Sequence, residues 1–517
     1  MKPITVVVPY SSDPSFKKNL SPFTESELVE RVVILSQKPV HFEMKKCNLL
    51  VAGPLTSHKT VALILNQVST EYLLLLLSSH QASIEPQALN RILAAAESTK
   101  VGLVYSDFYD NSGLEKALHP LNDYRLGSVR DDFDFGAIML LSMGAARHAL
   151  KKYGTIPAVR FAALYDLRLK ISIDHFLRHL PEPLYSVVST STPSSEGRLF
   201  AYVDLRNQAA QREMERVFTA YLKDIGAYLA PRRFRKVEPA TMPYPVEASV
   251  VIPVLNRKGT IAEAVKSALS QVTDFLFNVI VVDNHSTDGT TEVLSDLARQ
   301  HSRLNHIVPV RTDLAIGGCW NEALHSEACG RYAVQLDSDD LYRSAGTLQR
   351  IVDMLRQDNY AMVIGSYTLV NEKLEEIPPG LIDHREWTDK NGRNNALRIN
   401  GLGAPRAFNT ELMRSIGFLN VSYGEDYAAC LRVSREYRIG RIYDSLYLCR
   451  RWSGNTDARL SIEEVNRNNA FKDEVRSAEI MARQNMNRNH ADRVMGQGSR
   501  VKKDVASGTL EDDFDAR

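Results

Sequence analysis

The chain has 517 residues, of which 44% are hydrophobic and 24% charged, and its formal net charge is +1. This composition is typical of a soluble globular protein of roughly three domains, and the near-zero charge gives no electrostatic basis for a nucleic-acid or membrane partner. Five cysteines without CxxC spacing argue against a disulfide framework or a zinc site, and they favour a reducing, cytoplasmic location. We expect no signal peptide and no transmembrane segment, and we leave peripheral membrane contact open.

The two halves of the chain repeat the same series of patterns. Matching segments of the first and second halves follow in the same order: 5–14 and 249–258, 31–37 and 278–284, 66–80 and 321–340, 101–111 and 361–371, 163–172 and 425–434. Each match is weak, but their common order and spacing predict an internal duplication. Strand-like and helix-like patterns alternate in both halves, which predicts two tandem α/β domains with mostly parallel sheets.

These patterns divide the chain into four parts. We predict a first α/β domain over residues 1–199 and a second over 246–457. Residues 200–245 read as an amphipathic helix followed by a proline-rich linker. Residues 458–517 read as a helical extension with a polar end that we expect to be mobile.

The stretch RYAVQLDSDDLY, residues 331–342, has the clearest chemical signal. An apolar run typical of a buried strand ends in Asp337, Asp339 and Asp340. Ligands of open α/β sheets bind at the carboxyl ends of the strands, and carboxylate oxygens suit Mg²⁺ or Mn²⁺ bound with a phosphate. The alternative is a solvated turn whose aspartate caps the next helix.

Two further strand ends carry polar residues. Pro253 and Asn256 follow the run SVVI, and Asp283 follows NVIVV. If the strands are parallel, Asp283 lies on the same sheet edge as Asp337, where it can accept hydrogen bonds from a base or a ribose hydroxyl. The other interpretation of Asp283 is a turn or helix-capping residue.

The second half resembles the family 2 glycosyltransferases of the GT-A fold. The resemblance lies in the ordered blocks VVIPVLNR, VVDNHSTDGT, GGCWNEAL, GRYAVQLDSDDL and a segment that begins at Gly403 and contains GEDYAACLRV. It implies a metal-dependent, inverting transfer of a sugar from a nucleotide-diphosphate donor, with UDP favoured, to a hydroxyl of a glycan or glycoconjugate. The implied cofactor is Mn²⁺ or Mg²⁺.

The resemblance also implies roles for individual residues. Pro253, Asn256, Asp283 and Asp337 would bind the nucleotide, with Asp283 at the base. Asp337 and Asp339 form the DxD motif, in which Asp339 would be the principal metal ligand.

Glu425 and Asp426 match the family's ED motif at the start of a helix. Asp426 would be the general base that deprotonates the acceptor hydroxyl, and Glu425 would support it. The structural alternative is an acidic first turn that complements the helix dipole.

The sequence departs from the family at one late position. Trp452 stands where many relatives have a histidine metal ligand, and an indole N–H can only donate. Either the metal relies on the DxD carboxylates, phosphate and water, or Asn455 or Asp457 substitutes. Arg450 or Arg451 would pair with the diphosphate or form a surface ion pair.

The first half keeps the apolar pattern and loses the polar residues. The residues aligned with Asp283, Asp337, Asp339, Asp340, Glu425 and Asp426 are Ser36, Leu77, Ser79, His80, Ala163 and Leu164. We therefore expect a degenerate, non-catalytic GT-A-like domain that stabilises the active one, forms a homo-oligomer or binds an acceptor. For the whole chain, the alternatives are a nucleotidyltransferase, a retaining GT-A enzyme and a non-catalytic glycan-binding scaffold.

Overall fold

The structure is a computed structural model, and it describes residues 2–77, 81–111, 115–188, 207–231, 234–238, 243–357, 360–385, 387–455, 458 and 460–506. Side chains are described as far as residue 490. The expected mobile end beyond residue 506, Ser79, His80, Asp457 and parts of the predicted linker lie outside these residues.

The first half alternates strands and helices, as its patterns predict. Its strands are β1 Ile4–Pro9, β2 Val29–Ser36, β3 Cys47–Val51, β4 Tyr72–Leu76, β5 Gln81–Ile84, β6 Val101–Ser106, β7 Phe108–Asp110, β8 Ala117–His119, β9 Ile138–Ser142, β10 Phe176–Leu180 and β11 Tyr185–Val188. Its helices are α1 Phe16–Glu25, α2 His58–Gln67, α3 Ala88–Ala96, α4 Met143–Tyr153 and α5 Ala163–Asp174. Helix α6, Gln208–Asp224, follows, and its buried stripe contains Val217, Phe218, Tyr221 and Leu222.

The second half has the same alternation. Its strands are β12 Ala248–Val254, β13 Phe277–Asp283, β14 Leu304–Ile307, β15 Tyr332–Gln335, β16 Leu341–Tyr342, β17 Met362–Val370, β18 Glu376–Ile382, β19 Arg406–Asn409 and β20 Ile439–Arg450. Its helices are α7 Ile261–Leu269, α8 Thr290–Gln300, α9 Ile316–His325, α10 Thr347–Gln357, α11 Gly392–Asn395, α12 Thr410–Ile416, α13 Glu425–Glu436 and the long α14 Ile462–Ala506.

The main sheets of the two halves share a strand order. The first sheet runs β3-β2-β1-β4-β9-β6-β10, and the second contains β14-β13-β12-β15-β19-β17-β20 in the same positions. In each sheet the fifth strand, β9 or β19, is antiparallel to both neighbours, and the other neighbouring pairs in these two series are parallel. The β-branched strands β12 and β13 are buried almost throughout, as expected for parallel strands covered on both faces.

Both main sheets are mixed: the first is mostly parallel, as expected, whereas the second has as many antiparallel as parallel pairs among its described strands. In the second half, β16 and β18 add further antiparallel pairs to those of β19. A short apolar run such as RAFN in β19 predicts a buried strand but carries no information on its direction. The first half also has a separate sheet of four strands, β5-β11-β7-β8, which its sequence pattern did not indicate.

Helix α14 packs against both halves. The Asp473 carboxylate accepts hydrogen bonds from the Ser128 hydroxyl (2.9 Å) and from Arg130 Nε (3.2 Å) in the first half. It also accepts one from Arg476 Nη1 (2.8 Å), and Arg476 Nε reaches the Tyr427 hydroxyl on α13 at 3.0 Å. Asp473 and Arg476 are 1% and 0% exposed, so this buried cluster fixes α13 relative to the first half.

Candidate active site

Three neighbouring parallel strands bring the predicted residues to one edge. In the register of the sheet, Val254 pairs with Asp283, and Val251 pairs with Gln335. Asp283 therefore ends β13 beside the end of β12, and Asp337 lies two residues beyond β15 on the same edge. This is the arrangement that parallel strands were expected to produce.

The acidic turn after β15 is largely buried. Asp339 and Asp340 are 9% and 3% exposed, and Asp337 is half-buried. The backbone N–H of Arg450 donates to Asp340 Oδ1 at 2.7 Å. Burial and then the neighbouring carboxylates raise the pKa of Asp340 well above its usual range, and burial also raises the pKa of Asp337. The turn thus concentrates carboxylates where ionisation is costly without a cation.

Trp452 contacts the DxD motif directly. Its indole Nε1–H donates to Asp339 Oδ2 at 2.9 Å, and Asn455 Nδ2 reaches the same oxygen at 3.3 Å. Arg257 Nε lies 3.9 Å from it, with its guanidinium 5.8 Å from the Trp452 ring centroid. Every contact to the Asp339 carboxylate within the described residues therefore reaches Oδ2.

The two arginines proposed for the diphosphate differ in their surroundings. Arg450 Nη2 donates to Glu263 Oε2 at 2.7 Å, so this guanidinium is engaged in an ion pair within the protein. Arg451 is half-buried, and its N–H donates to the Val370 carbonyl at 2.7 Å. Arg257, which the sequence interpretation passed over, is the arginine that faces Asp339.

A chain of polar contacts leads from the acidic turn to the ED motif. Gln335 Nε2 donates to Asp337 Oδ1 at 2.9 Å, and its Oε1 accepts from Arg406 Nη1 at 3.0 Å. Arg406 Nη2 lies 2.6 Å from Asp426 Oδ2. The strand order explains the proximity, because Arg406 begins β19, which pairs with β15.

The ED carboxylates differ in environment. Burial and then the charge of Asp426 raise the pKa of Glu425 to about 8. Burial disfavours ionisation of Asp426 too, but the charges of Arg406 and then Lys472 lower its pKa below the usual value. The Asp426 side chain is 30% exposed. Asp426 is therefore the carboxylate that stays ionised and reachable.

Glycines allow the loop before α13 to dock. A Cβ on Gly317, in the first turn of α9, would lie 1.8 Å from the Leu419 carbonyl oxygen and 3.1 Å from Glu425 Cβ. Gly424 starts α13 with φ +81°, a conformation that favours glycine. The GG of GGCWNEAL thus permits the close approach that places the ED motif.

Asp283 closes the loop that follows β13, and Asn256 binds this closed loop from the end of β12. Asp283 is fully buried; Oδ1 accepts from the Ser286 N–H (3.0 Å), and Oδ2 accepts from the Thr291 hydroxyl (2.5 Å). Asn256 Oδ1 accepts from the Thr287 N–H at 2.8 Å, and Pro253 is half-buried in β12. Burial opposes ionisation of Asp283, but these hydrogen bonds and His306 hold its pKa well below the usual range. Loop stabilisation, the structural alternative for Asp283, is thus present, and base recognition stays a prediction.

The carboxylate oxygens of the acidic turn fit a divalent cation that takes most of its ligands from outside the protein. Among the described residues, no group of three or more His, Cys, Asp or Glu side chains is arranged to hold a metal ion. Asp337 and Asp339 supply hard oxygen ligands, and the crowding of carboxylates favours a cation there. Such an ion would complete its coordination with phosphate oxygens and water, as is common for Mg²⁺.

Sequence reasoning missed Gln335, Arg406 and Arg257. A polar residue inside the apolar run YAVQL and a charged residue in PRAF were weak signals that these strand positions face a polar site. Arg257 is the last residue of the VVIPVLNR block, but the block assigned it no role.

Known proteins with similar sequences are glycosyltransferases. Residues 249–416 match the family model described as Glycosyl transferase family 2. The chondroitin synthase of Escherichia coli is 33% identical over 129 residues, which are 25% of this chain and 18% of that protein. The Campylobacter jejuni GalNAc(5)-diNAcBac-PP-undecaprenol beta-1,3-glucosyltransferase is 30% identical over 125 residues, 24% of this chain and 39% of that protein. The chain spans between 18% and 47% of the length of the curated relatives it matches.

Solved structures show a more distant similarity. S. aureus TarS 1-349 in complex with UDP-GlcNAc is 22% identical, with a TM-score of 0.35, over 46% of this chain and 72% of that one. The Pyrobaculum calidifontis mannosyltransferase PcManGT, in complex with GDP-Man and Mn²⁺, is 17% identical with a TM-score of 0.33, over 59% of this chain and 92% of that one. Similarity at these scores carries no weight of its own.

The family match and the mixed α/β sheet agree with the predicted GT-A type fold for the second half. Within the described residues, no helix has the length and apolar character needed to cross a bilayer. Over residues 249–416, the second half of the chain is thus similar in sequence to glycosyl transferase family 2.

Proposed function

We propose that the protein is a metal-dependent, inverting glycosyltransferase that moves a sugar from a nucleoside-diphosphate donor, with UDP favoured, to a hydroxyl of a glycan or glycoconjugate. The observation that carries this proposal is the position of Asp426 near the acidic turn. Its Oδ2 lies 2.6 Å from Arg406, which binds Gln335, and Gln335 binds Asp337. A donor at the turn and an acceptor at Asp426 would therefore be neighbours.

Asp337 and Asp339 would hold Mn²⁺ or Mg²⁺ against the diphosphate. When bound, the cation supplies positive charge that stabilises the departing nucleoside diphosphate. Among the described residues, Trp452 and Asn455 donate to Asp339 Oδ2 and not to Oδ1. We therefore assign Oδ1 to the cation. Asp283, Asn256 and Pro253 would shape the nucleotide pocket through the closed loop.

Asp426 would act as the general base. It accepts the proton of the acceptor hydroxyl while the acceptor oxygen forms a bond to the anomeric carbon. The bond from that carbon to the diphosphate oxygen breaks on the opposite side, and its electron pair leaves with the nucleoside diphosphate. Glu425, whose pKa is raised to about 8, is mostly protonated at neutral pH and would support Asp426 rather than replace it.

The first half would be a non-catalytic copy of the same architecture. The shared strand order supports this, and so does Leu77, which stands two residues past Leu75 as Asp337 stands two past Gln335. We assign it a supporting role, because α14 ties it to α13 through Asp473 and Arg476. The domain bounds predicted from sequence and the cytoplasmic location belong to this proposal.

One observation favours a second candidate, a non-catalytic glycan-binding scaffold. Trp452 and Asn455 already donate to Asp339 Oδ2, so the DxD motif is partly engaged within the protein.

Thermal shift with UDP, GDP, CDP and dTDP, each with and without Mn²⁺, separates the two candidates. The transferase should gain melting temperature with one diphosphate only when Mn²⁺ is present, because ligands that bind the folded state stabilise it. Asp339→Ala should lose this gain. Asp444→Ala, which alters an exposed ion pair with Arg350, is the matched control and should keep it. If no diphosphate shifts the wild-type protein, the scaffold is the better interpretation.

A further inference from the structure

We propose that Arg406, oriented by Gln335, is the positioning residue that keeps Asp426 ionised and aligned as the base. The inference rests on the proposed function, and it adds two residues that neither the motifs nor the family match assigns a role. It is carried by the contacts of the two side chains and by the residues that replace them in the first half.

Arg406 is held on two sides. Its backbone N–H and its Nη1 both donate to Gln335 Oε1, at 3.2 and 3.0 Å, and its Nη2 contacts Asp426 Oδ2. Gln335 is fixed in turn, because its amide nitrogen donates to Asp337. The guanidinium therefore has little freedom to leave Asp426, and the side chain is only 14% exposed.

The other oxygen of the base is also defined. Asp426 Oδ1 accepts from the N–H of Tyr427 at 2.6 Å, so both carboxylate oxygens have a donor and the group has one orientation. Charge-assisted contacts of this kind fix geometry as well as the ionisation state. The 30% exposure of the Asp426 side chain leaves a face for an acceptor hydroxyl.

Other charges near Asp426 act less directly. Asp426 raises the pKa of Glu425 on the same helix, and the charge of Lys472 on α14 lowers the pKa of Asp426. Lys472 Nζ, however, donates to the Asn400 carbonyl (2.7 Å) and the Tyr423 hydroxyl (3.3 Å). Within the described part of the chain, the ion pair of Asp426 is the one with Arg406.

The first half shows that the fold does not require these polar residues. Tyr72 pairs with Ser142 in its sheet as Tyr332 pairs with Asn409 in the second, and both Ser142 and Asn409 cap the following helix. Counting along the strands from these pairs, Gln335 corresponds to Leu75. Arg406 corresponds to Met139, and Leu75 and Met139 are direct partners in the register.

The residues that correspond to Gln335 and Arg406 are thus apolar in the first half. Leu75 and Met139 are 2% and 5% exposed and pack in a hydrophobic core. A buried charge destabilises a fold unless it is paired, so a sheet that forms equally well with leucine and methionine has no structural need for arginine here. Arg406 and Gln335 occur only in the half that carries Asp426, which supports a role in its chemistry.

The test compares Arg406→Met and Arg406→Lys with the wild-type protein. Methionine is the residue that the first half tolerates in this position, and lysine restores the charge without the forked geometry. Arg414→Met is the matched control, because this half-buried arginine donates to the Leu324 carbonyl at 2.7 Å away from the site. Each protein is labelled with a carbodiimide and an amine across pH, and modification of Asp426 is read by mass spectrometry.

Loss of the guanidinium should move the labelling midpoint of Asp426 upward by about one to three pH units, since an adjacent arginine lowers an aspartate pKa by that amount. Arg406→Lys should recover much of the shift, and Arg414→Met should show none. In parallel, we measure the pH dependence of UDP release from UDP-sugars with Mn²⁺. In Arg406→Met, the midpoint of the acidic limb of this profile should move to higher pH by the same amount. A merely structural role would lower the rate without moving this limb.

An unchanged midpoint in Arg406→Met, in a protein that melts as a folded chain, overturns the inference. A moved midpoint with an unmoved limb of UDP release also overturns it, because Asp426 would then not be the group whose ionisation limits the reaction. A wild-type protein that releases UDP from no donor, while the midpoint still moves, refutes the proposed transfer but confirms the effect of Arg406 on Asp426.

Discussion

Replacing Asp473 with alanine should destabilise the whole protein, because this carboxylate joins the two halves. Asp473 is 1% exposed and accepts hydrogen bonds from Ser128, Arg130 and Arg476. Arg130 and Arg476 are 3% and 0% exposed. Alanine would leave both guanidinium groups buried without their shared carboxylate.

The size of the effect follows from what each arginine retains. Removing one partner of a buried ion pair costs about 3–5 kcal/mol. Arg130 keeps an ion pair with Asp132, whose side chain is 63% exposed. Arg476 keeps the Tyr427 hydroxyl, the Ile399 carbonyl and the Asn400 side chain. The lower limit, about 3 kcal/mol, is therefore expected. For a chain of 517 residues that unfolds as one unit, this corresponds to a fall in melting temperature of about 3 °C.

Scanning calorimetry of Asp473→Ala and Glu474→Ala measures this difference. Glu474 also reaches the first half, through Arg125, but its side chain is 57% exposed. Exposed ion pairs contribute about 0–1 kcal/mol, so the control should melt within about 1 °C of the wild type. If the two variants melt at the same temperature, the buried cluster does not hold the halves together and the reasoning is wrong.

Three further variants test the site. Trp452→Phe removes the indole donor from Asp339 Oδ2 but leaves Oδ1, the oxygen assigned to the cation, unchanged. Mn²⁺ binding with UDP, followed by calorimetry, should therefore change by less than about tenfold, the effect of losing a hydrogen bond of ~1.5 kcal/mol to a charged group; a tenfold gain in affinity would show that the cation displaces the indole from Oδ2. Gly317→Ala places a Cβ 1.8 Å from the Leu419 carbonyl oxygen, so the melting temperature and the rate of UDP release should both fall. Unchanged values would show that the loop before α13 can move away from the new side chain. The pKa of Glu425 is raised from 4.5 to about 8 in the folded state, so the free energy of unfolding should fall as pH rises between these values. In urea titrations across pH, Glu425→Gln should lose this part of the pH dependence, and an unchanged dependence would show that another group is responsible for it.

Local patterns were sufficient to predict the positions of the main strands and of the acidic turn. The run YAVQL and the run NVIVV are buried strands that end at Asp337 and Asp283 on one edge, because apolar runs and polar strand ends are local features of a sequence. The family resemblance of the second half, based on ordered blocks, is confirmed by the family match. The roles of the individual site residues stay predictions.

Features that depend on pairing between distant segments could not be predicted. Arg406 and Asp426 are brought together by the antiparallel placement of β19, and no pattern in RAFN indicates that direction. The contact of Trp452 with Asp339 joins a strand end to a turn more than 100 residues earlier, so the sequence showed only that a histidine was missing. The closed loop around Asp283 was one of two open alternatives, and only the geometry reveals its hydrogen bonds.

The packing of α14 has a consequence for protein synthesis. Asp473, Arg476 and Lys472 emerge from the ribosome after every strand of both sheets, yet they support the helix that carries Asp426. Both main sheets can therefore form during translation before α14 docks on α13. If Asp426 is the base that we propose, this order would delay full activity until the later segment has docked.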